Sequence, residues 1–163
     1  MKVHDLSGPL SDHPFLAGLK AEHLTLIAGC SSNRVYGPGE YLAREGAEAE
    51  EFYVIRDGQV ALETFAPQTG ARRVLTLHPG DVAGLSWLVE PYLWKLDMRA
   101  VTPVRVIAID GKCLRGKCEQ DPELGYRLFQ RVARLMEDRL HATRLQLLDL
   151  YGKEGAAELA AGR

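Results

Sequence analysis

Two tryptophans and a handful of cations are the side chains in this sequence best placed to hold an anion that carries a ring. Trp87 and Trp94 flank a short apolar segment; Lys95 and Arg99 follow it, and Arg72 and Arg73 precede it on a strand-like stretch. An indole can stack a base or a nicotinamide. A guanidinium makes bidentate, charge-assisted contacts to phosphate. Gly84-Leu85-Ser86 lies just before Trp87, and the Ser86 hydroxyl can donate to a phosphate or cap a short helix, capping being the preferred reading. The competing expectation is a pocket filled by the two tryptophans, with the cations solvated. The filled pocket is the reading preferred here.

Other chemistries find less support. His4, His13, His23, His78 and His141 are scattered, and no paired Cys-x-x-Cys occurs, so no metal site is expected. There is no nucleophile elbow, phosphate loop or dinucleotide fingerprint, and no catalytic residue is assigned. Glu45, Glu48, Glu50 and Glu51 read as a solvated loop run. Cys30, Cys113 and Cys118 are an odd number, and no export signal follows Met1, so they are expected to be reduced thiols in a cytoplasm.

The elements around these residues must form one modest globular unit. The 163 residues are 46% hydrophobic and 26% charged, with a formal net charge of −2, which argues against both disorder and a nucleic-acid partner. No apolar run reaches the roughly 18 residues of a membrane span. Residues 1–12 are expected to be a lead-in. Two short helices are expected between Asp12 and Gly29, divided at Gly18. From Asn33 the texture becomes strands separated by turns at Gly37-Pro38-Gly39, Glu45-Gly46, Asp57-Gly58, Gln68-Thr69-Gly70 and Pro79-Gly80. Phe52 to Phe65 reads as a hairpin on a type I′ Asp57-Gly58 turn, and Arg72 to Leu77 as a third strand. Gly80 to Asp110 then reads as a strand, a one-turn helix and a returning strand over Arg99 to Ile109, enclosing a concave site.

Asp110 is placed to cap a short helix, and Asp121-Pro122-Glu123 to start a long one over about residues 122–151, stopped by Gly152. The remaining tail, 152–163, is expected to fray. On the long helix Leu124, Leu128, Val132 and Leu135 form one apolar stripe. Phe129, Ala133, Met136, Leu140, Thr143 and Leu147 form a second, offset around the helix. One stripe can cover a barrel; a second is expected to serve self- or hetero-association.

Taken in order, Gly37-Pro38-Gly39-Glu40-Tyr41-Leu42, Arg44-Glu45-Gly46, Phe52 to Gly58 and Pro79-Gly80-Asp81-Val82-Ala83-Gly84 carry a resemblance to the cyclic-nucleotide-binding domains of the Crp/Fnr superfamily. It covers about Pro14 to Gly152. The resemblance implies an α+β, mainly β fold: a β-roll of the jelly-roll type with short N-terminal helices and a long C-terminal helix, in a domain spanning about 13–151. In relatives that bind cyclic AMP, a Gly-Glu pair takes the ribose and an Arg neutralises the phosphate. Here Leu85 stands where that Glu belongs, and Trp94 at or near the Arg. Losing such a partner costs roughly 2–5 kcal/mol, most of a micromolar affinity.

More narrowly, HPFLAGL, GLSWLVEPYLW and RLQLLDLYG resemble stand-alone domains that include the small accessory subunit of soluble NAD-reducing nickel–iron hydrogenases. That resemblance implies a non-catalytic module acting through a protein partner, either as a homodimer or in a larger redox-enzyme complex. It implies NADPH or a cyclic nucleotide as the possible ligand. No DNA-binding module and no membrane association are expected.

Overall fold

The computed structural model describes residues 5–161, with side chains for residues 5–152. The chain forms two compact units, Met1–Gly125 and Tyr126–Arg163.

The first unit is two four-stranded antiparallel sheets. One has the order β1-β8-β3-β6, from β1 (Ser31–Tyr36), β8 (Val104–Asp110), β3 (Glu51–Asp57) and β6 (Val82–Ala83). The other has the order β2-β7-β4-β5, from β2 (Tyr41–Ala43), β7 (Asp97–Ala100), β4 (Val60–Ala66) and β5 (Gly70–Leu77). The mainly β, jelly-roll architecture is as expected from the sequence. Alternation decides which residues fill the roll. Tyr53 and Ile55 of β3, Val60 and Leu62 of β4, Met98 and Ala100 of β7, and Val104, Val106 and Ala108 of β8 share one buried cluster. Their neighbours Phe52, Val54, Ile107 and Ile109 point the other way and are also buried. There they meet α3 (Gly111–Gln120) and the one-turn helix Leu85–Leu88. A sheet covered on both faces needs continuous apolar runs, which explains Phe52-Tyr53-Val54-Ile55 and Val106-Ile107-Ala108-Ile109.

Several local expectations are corrected. Phe52 to Phe65 is not a hairpin. The two segments are strands, but β3 pairs with β6 and β8, whereas β4 pairs with β5 and β7. Asp57-Gly58 is therefore a corner at which the chain changes sheet. Gly58 has φ +83°, and a Cβ there would lie 2.1 Å from the Pro103 carbonyl oxygen. The close backbone crossing, as much as the turn, demands glycine. Similarly, Arg99 to Ile109 is not one strand. The turn at Thr102-Pro103 divides β7 from β8, because proline cannot donate to a ladder.

Among the helices, α1 (Ser7–Ser11) lies inside the expected lead-in, with Leu6 and Leu10 buried. The apolar side chains at 6 and 10 are one helical turn apart, which the polar residues around them obscured. Only one regular helix, α2 (Ala21–Ala28), follows between Asp12 and Gly29, and it ends at Gly29 as expected. The Asp110 carboxylate accepts from the Cys113 amide at 2.6 Å, and that of Asp121 from the Leu124 amide at 3.1 Å, so both predicted caps form. α4 runs Pro122–Ala161, past Gly152. The Ala-rich run beyond that glycine has enough helix propensity to continue.

The cysteines also depart from expectation. Cys30 and Cys113 form a disulfide, with Cα atoms 5.7 Å apart and a sequence separation of 83. Register is the cause. Ser31 pairs with Ile109, and the Asp110 amide donates to the Cys30 carbonyl at 2.9 Å, so α3 begins beside Cys30. No local spacing could reveal that pair. Cys118 remains a thiol. The acidic run is not merely solvated either: Glu48 makes a bridge to Leu93, and Glu51 enters β3 and pairs with Arg34 at 2.9 Å.

Candidate functional site

The segment from β6 to β7 turns through Gly84, whose φ of +88° makes it the left-handed N-cap of the one-turn helix. No side chain caps that helix, so Ser86 does not have the capping role expected of it. Leu85 and Ser86 are half-buried. Glycine at 84 is demanded by its neighbour as well as by its backbone. A Cβ there would fall 2.7 Å from the Cη2 and Cζ3 atoms of Trp94. Trp94 is 5% exposed and belongs to the cluster filling the roll, where its ring stacks on Tyr53 at 6.4 Å. Burial raises the Tyr53 phenol far above its ordinary value, and its hydroxyl donates to the Leu42 carbonyl at 3.0 Å.

Trp87 is elsewhere. It stacks on Phe52 with centroids 5.1 Å apart and planes 14° apart. Phe52 and Tyr53 are consecutive in β3, so their rings lie on opposite faces of the sheet. The two tryptophans therefore do not share a pocket, and no ligand ring can be sandwiched between them. Trp94 fills the roll; Trp87 roots the segment between β6 and β7, the cassette, on the other side of the wall.

The expected anion contacts separate in the same way. Arg99 alternates with the inward Met98 and Ala100 and so points outward. Its Nε and Nη2 donate to the two carboxylate oxygens of Glu63 at 3.0 and 2.6 Å. The hydrogen bonds from Arg99 are the main cause that holds Glu63 below the usual carboxylate range. Lys95, Arg72 and Arg73 are exposed. None of the four cations faces the roll interior with Trp94.

A residue the sequence reading missed ties the cassette down. Arg115 of α3 donates from Nη1 to the Trp87 carbonyl and lies over the Tyr92 ring, 4.0 Å from its centroid. Gly111 lets α3 approach: a Cβ there would sit 2.9 Å from Trp87 Cβ and 3.1 Å from the Glu50 carbonyl. Arg115 and Tyr92 border a cleft of about 480 Å3 outside the roll, with Glu48, Glu50 and Lys112 on its other walls. Only the long-range packing of α3 on the cassette brings these residues together, and neither has a neighbour in sequence that announces it.

On α4 the two predicted stripes differ. Leu124, Leu128 and Val132 are buried and Leu135 is half-buried. Phe129, Met136, Leu140 and Leu147 are 47–61% exposed. Among the described residues no helix is long and apolar enough to cross a membrane, and no cluster of His, Cys, Asp and Glu could hold a metal ion.

Comparison with known proteins places these features in a family. The cyclic nucleotide-binding domain family matches residues 33–121. A CRP-like cAMP-activated global transcriptional regulator of Mycobacterium tuberculosis is 27% identical over 112 residues, 69% of this chain and 48% of the regulator. The cGMP-dependent protein kinase egl-4 of Caenorhabditis briggsae is 28% identical over 103 residues, 62% of this chain and 14% of the kinase. The chain thus spans about half the length of the first of these relatives and far less of the second. Among solved structures, a Geobacter metallireducens GS-15 protein named for cyclic nucleotide binding superposes with a TM-score of 0.75. It is 30% identical, with 82% of this chain and 97% of that chain covered. The chain belongs to the cyclic nucleotide-binding domain family.

Proposed function

We propose that this protein is a non-catalytic regulatory or accessory module of the cytoplasm that docks on another protein through α4, its cyclic-nucleotide-type pocket having diverged. The observation that carries this reading is the spacing of the exposed apolar residues on α4. Phe129, Met136, Leu140 and Leu147 follow one another at steps of seven, four and seven, the repeat of a helix–helix seam. Their exposure leaves that seam uncovered within the chain. Trp94 against Gly84 supports the other half of the reading, because an indole occupies the interior where a phosphate partner would be needed. The partner is a second copy or a larger redox-enzyme complex. The finer assignment, to an NAD-reducing hydrogenase, rests on the likeness of GLSWLVEPYLW and RLQLLDLYG to its small accessory subunit.

The test is light scattering of the full chain alone and mixed with the diaphorase subunits of such a hydrogenase. A complex with those subunits supports the finer assignment, and a homodimer indifferent to them rejects it but keeps α4 as a seam. A monomer that ignores them would overturn docking.

A second reading, an effector sensor for a cyclic nucleotide or NADPH, is supported by the family match over residues 33–121. A thermal-shift panel of cyclic AMP, cyclic GMP, NAD, NADH and NADPH tests it. A ligand at 100 times its dissociation constant stabilises by about 2.7 kcal/mol, a rise of several degrees for this size. A rise with any of them would replace the filled-pocket reading; no rise leaves docking.

A further inference from the structure

The β1–β8 ladder is closed at one end by a disulfide whose two sulfurs are unevenly accessible. Cys30 is 8% exposed, at the entry to β1. Cys113 is half-buried in the first turn of α3 and lines an open cleft of about 460 Å3 with Asp110, Lys112, Gly116, Lys117 and Gln120. We infer that Cys113 is a redox-modification site, the sulfur at which a small acidic peptide thiol exchanges with the Cys30–Cys113 disulfide.

Four observations support it. The cleft leads to Cys113, while Cys30 is closed off, so an incoming thiolate reaches one sulfur of the pair. Lys112 and Lys117 beside it attract a carboxylate-bearing thiol and favour its thiolate. Cys113 lies in the first turn of a ten-residue helix, whose dipole favours an approaching anion, offset in part by the Asp110 carboxylate that caps the Cys113 amide at 2.6 Å. Finally, the pair is held in reach whatever its redox state. Ser31 pairs with Ile109, and the Asp110 amide bonds the Cys30 carbonyl, independently of the sulfurs.

The exchange balances as two steps. The thiolate RS− attacks Cys113 Sγ, forming an S–S bond to it and breaking the bond to Cys30, which leaves as thiolate and takes up a proton. A second RS− attacks the R-side sulfur of that mixed disulfide, releasing RSSR and the Cys113 thiolate, which is then protonated. Two thiols are oxidised by two electrons and the protein disulfide is reduced. Cys118 takes no part. It lies about 140° around α3 from Cys113, its Cβ is 3.2 Å from where a Cβ on Gly125 would be, and burial raises its thiol pKa.

The test treats the full chain with glutathione at graded ratios of reduced to oxidised form, quenches with iodoacetamide, and maps the peptides. The expected result is a glutathione adduct on Cys113 alone, a titration fitting two electrons, and the same curve for Cys118→Ser. The Cys30→Ser variant should take glutathione on Cys113; if it fails to fold, the mapping on the unaltered chain still decides. Because the disulfide closes a loop of more than 80 residues, reduction should lower Tm by about 10 °C without abolishing the folded state. An adduct first on Cys30 or Cys118, or an oxidised chain with no Cys30–Cys113 peptide, would overturn the inference.

Discussion

The indole of Trp94 occupies the space that a side chain on Gly84 would require, 2.7 Å from where its Cβ would lie. Gly84→Ala should therefore pay twice, for a positive φ and for displacing a ring buried in the roll, about 2–4 kcal/mol in all. Gly46 has φ +83° with nothing within 4 Å of its Cβ position, so Gly46→Ala should cost only about 1 kcal/mol. Urea denaturation of the two variants makes the comparison. Equal losses would mean that Trp94 yields freely.

The Glu63–Arg99 pair predicts an asymmetry. Glu63 is 7% and Arg99 31% exposed at the side chain. Removing the arginine strands a carboxylate in a buried place; removing the carboxylate leaves a cation that water can reach. Arg99→Met should cost about 2 kcal/mol and Glu63→Gln under about 1 kcal/mol. Because folding depresses the Glu63 pKa, its contribution is present above the ordinary carboxylate range and lost as pH falls through the folded value. Glu63→Gln should flatten the acid limb of stability below about pH 4, measured by denaturation at graded pH. An unchanged limb would leave this pair without a role in acid stability.

His13 predicts a second pH effect, at milder acidity. It is 5% exposed; the Phe15 amide donates to its Nδ1 at 3.2 Å, and its Nε2 faces the Ile55 carbonyl at 3.3 Å. That pattern fits the neutral ring, and burial is the main cause that lowers its pKa, opposed by the Ile55 and Asp81 carbonyls and the Asp81 charge. The unfolded chain then binds the extra proton first. Stability should be full above about pH 6.5 and decline as pH falls below it. His13→Gln should remove that decline, and a slope that persists between about pH 6.5 and 5 would assign it to another group.

The α4 seam separates association from stability. Met136 and Leu140 are 56% and 51% exposed, so Met136→Glu and Leu140→Glu should change unfolding free energy by no more than about 0.5 kcal/mol. The same changes should abolish any mass above one chain in light scattering. Association that survives both would place the seam elsewhere.

Much of the fold could be read from residue order, and the limits have a common cause. Turns marked by glycine and proline, the helix caps at Asp110 and Asp121, and the apolar strand runs are local signals, and they are where they were expected. Which strand pairs with which is not local. A positive φ at Gly58 serves a hairpin or a corner equally well, and only the approach of Pro103 decides between them. The same holds at the site. Trp87 and Trp94 look equivalent in sequence, yet Phe52 and Tyr53, adjacent in β3, send them to opposite faces. Arg99 looks like a phosphate ligand until its alternation with Met98 and Ala100 turns it outward. Cys30 and Cys113 are companions only through the register of β1 on β8.

That register has a consequence for how the molecule can be made. β1 lies at a sheet edge, and its strand partner is β8, so Ser31 has no ladder until Ile109 has been synthesised. β3 depends on the same late strand. The β4–β5 hairpin, in contrast, closes across the short loop between Ala66 and Gly70 and can form as soon as it emerges. Local contacts form before distant ones because loop closure must be offset first. Pulse-labelled hydrogen exchange during refolding should therefore protect the amides of β4 and β5 early and those of β1 last. A nascent chain halted before Val104 would leave the edge of β3 that pairs with β8 without its partner.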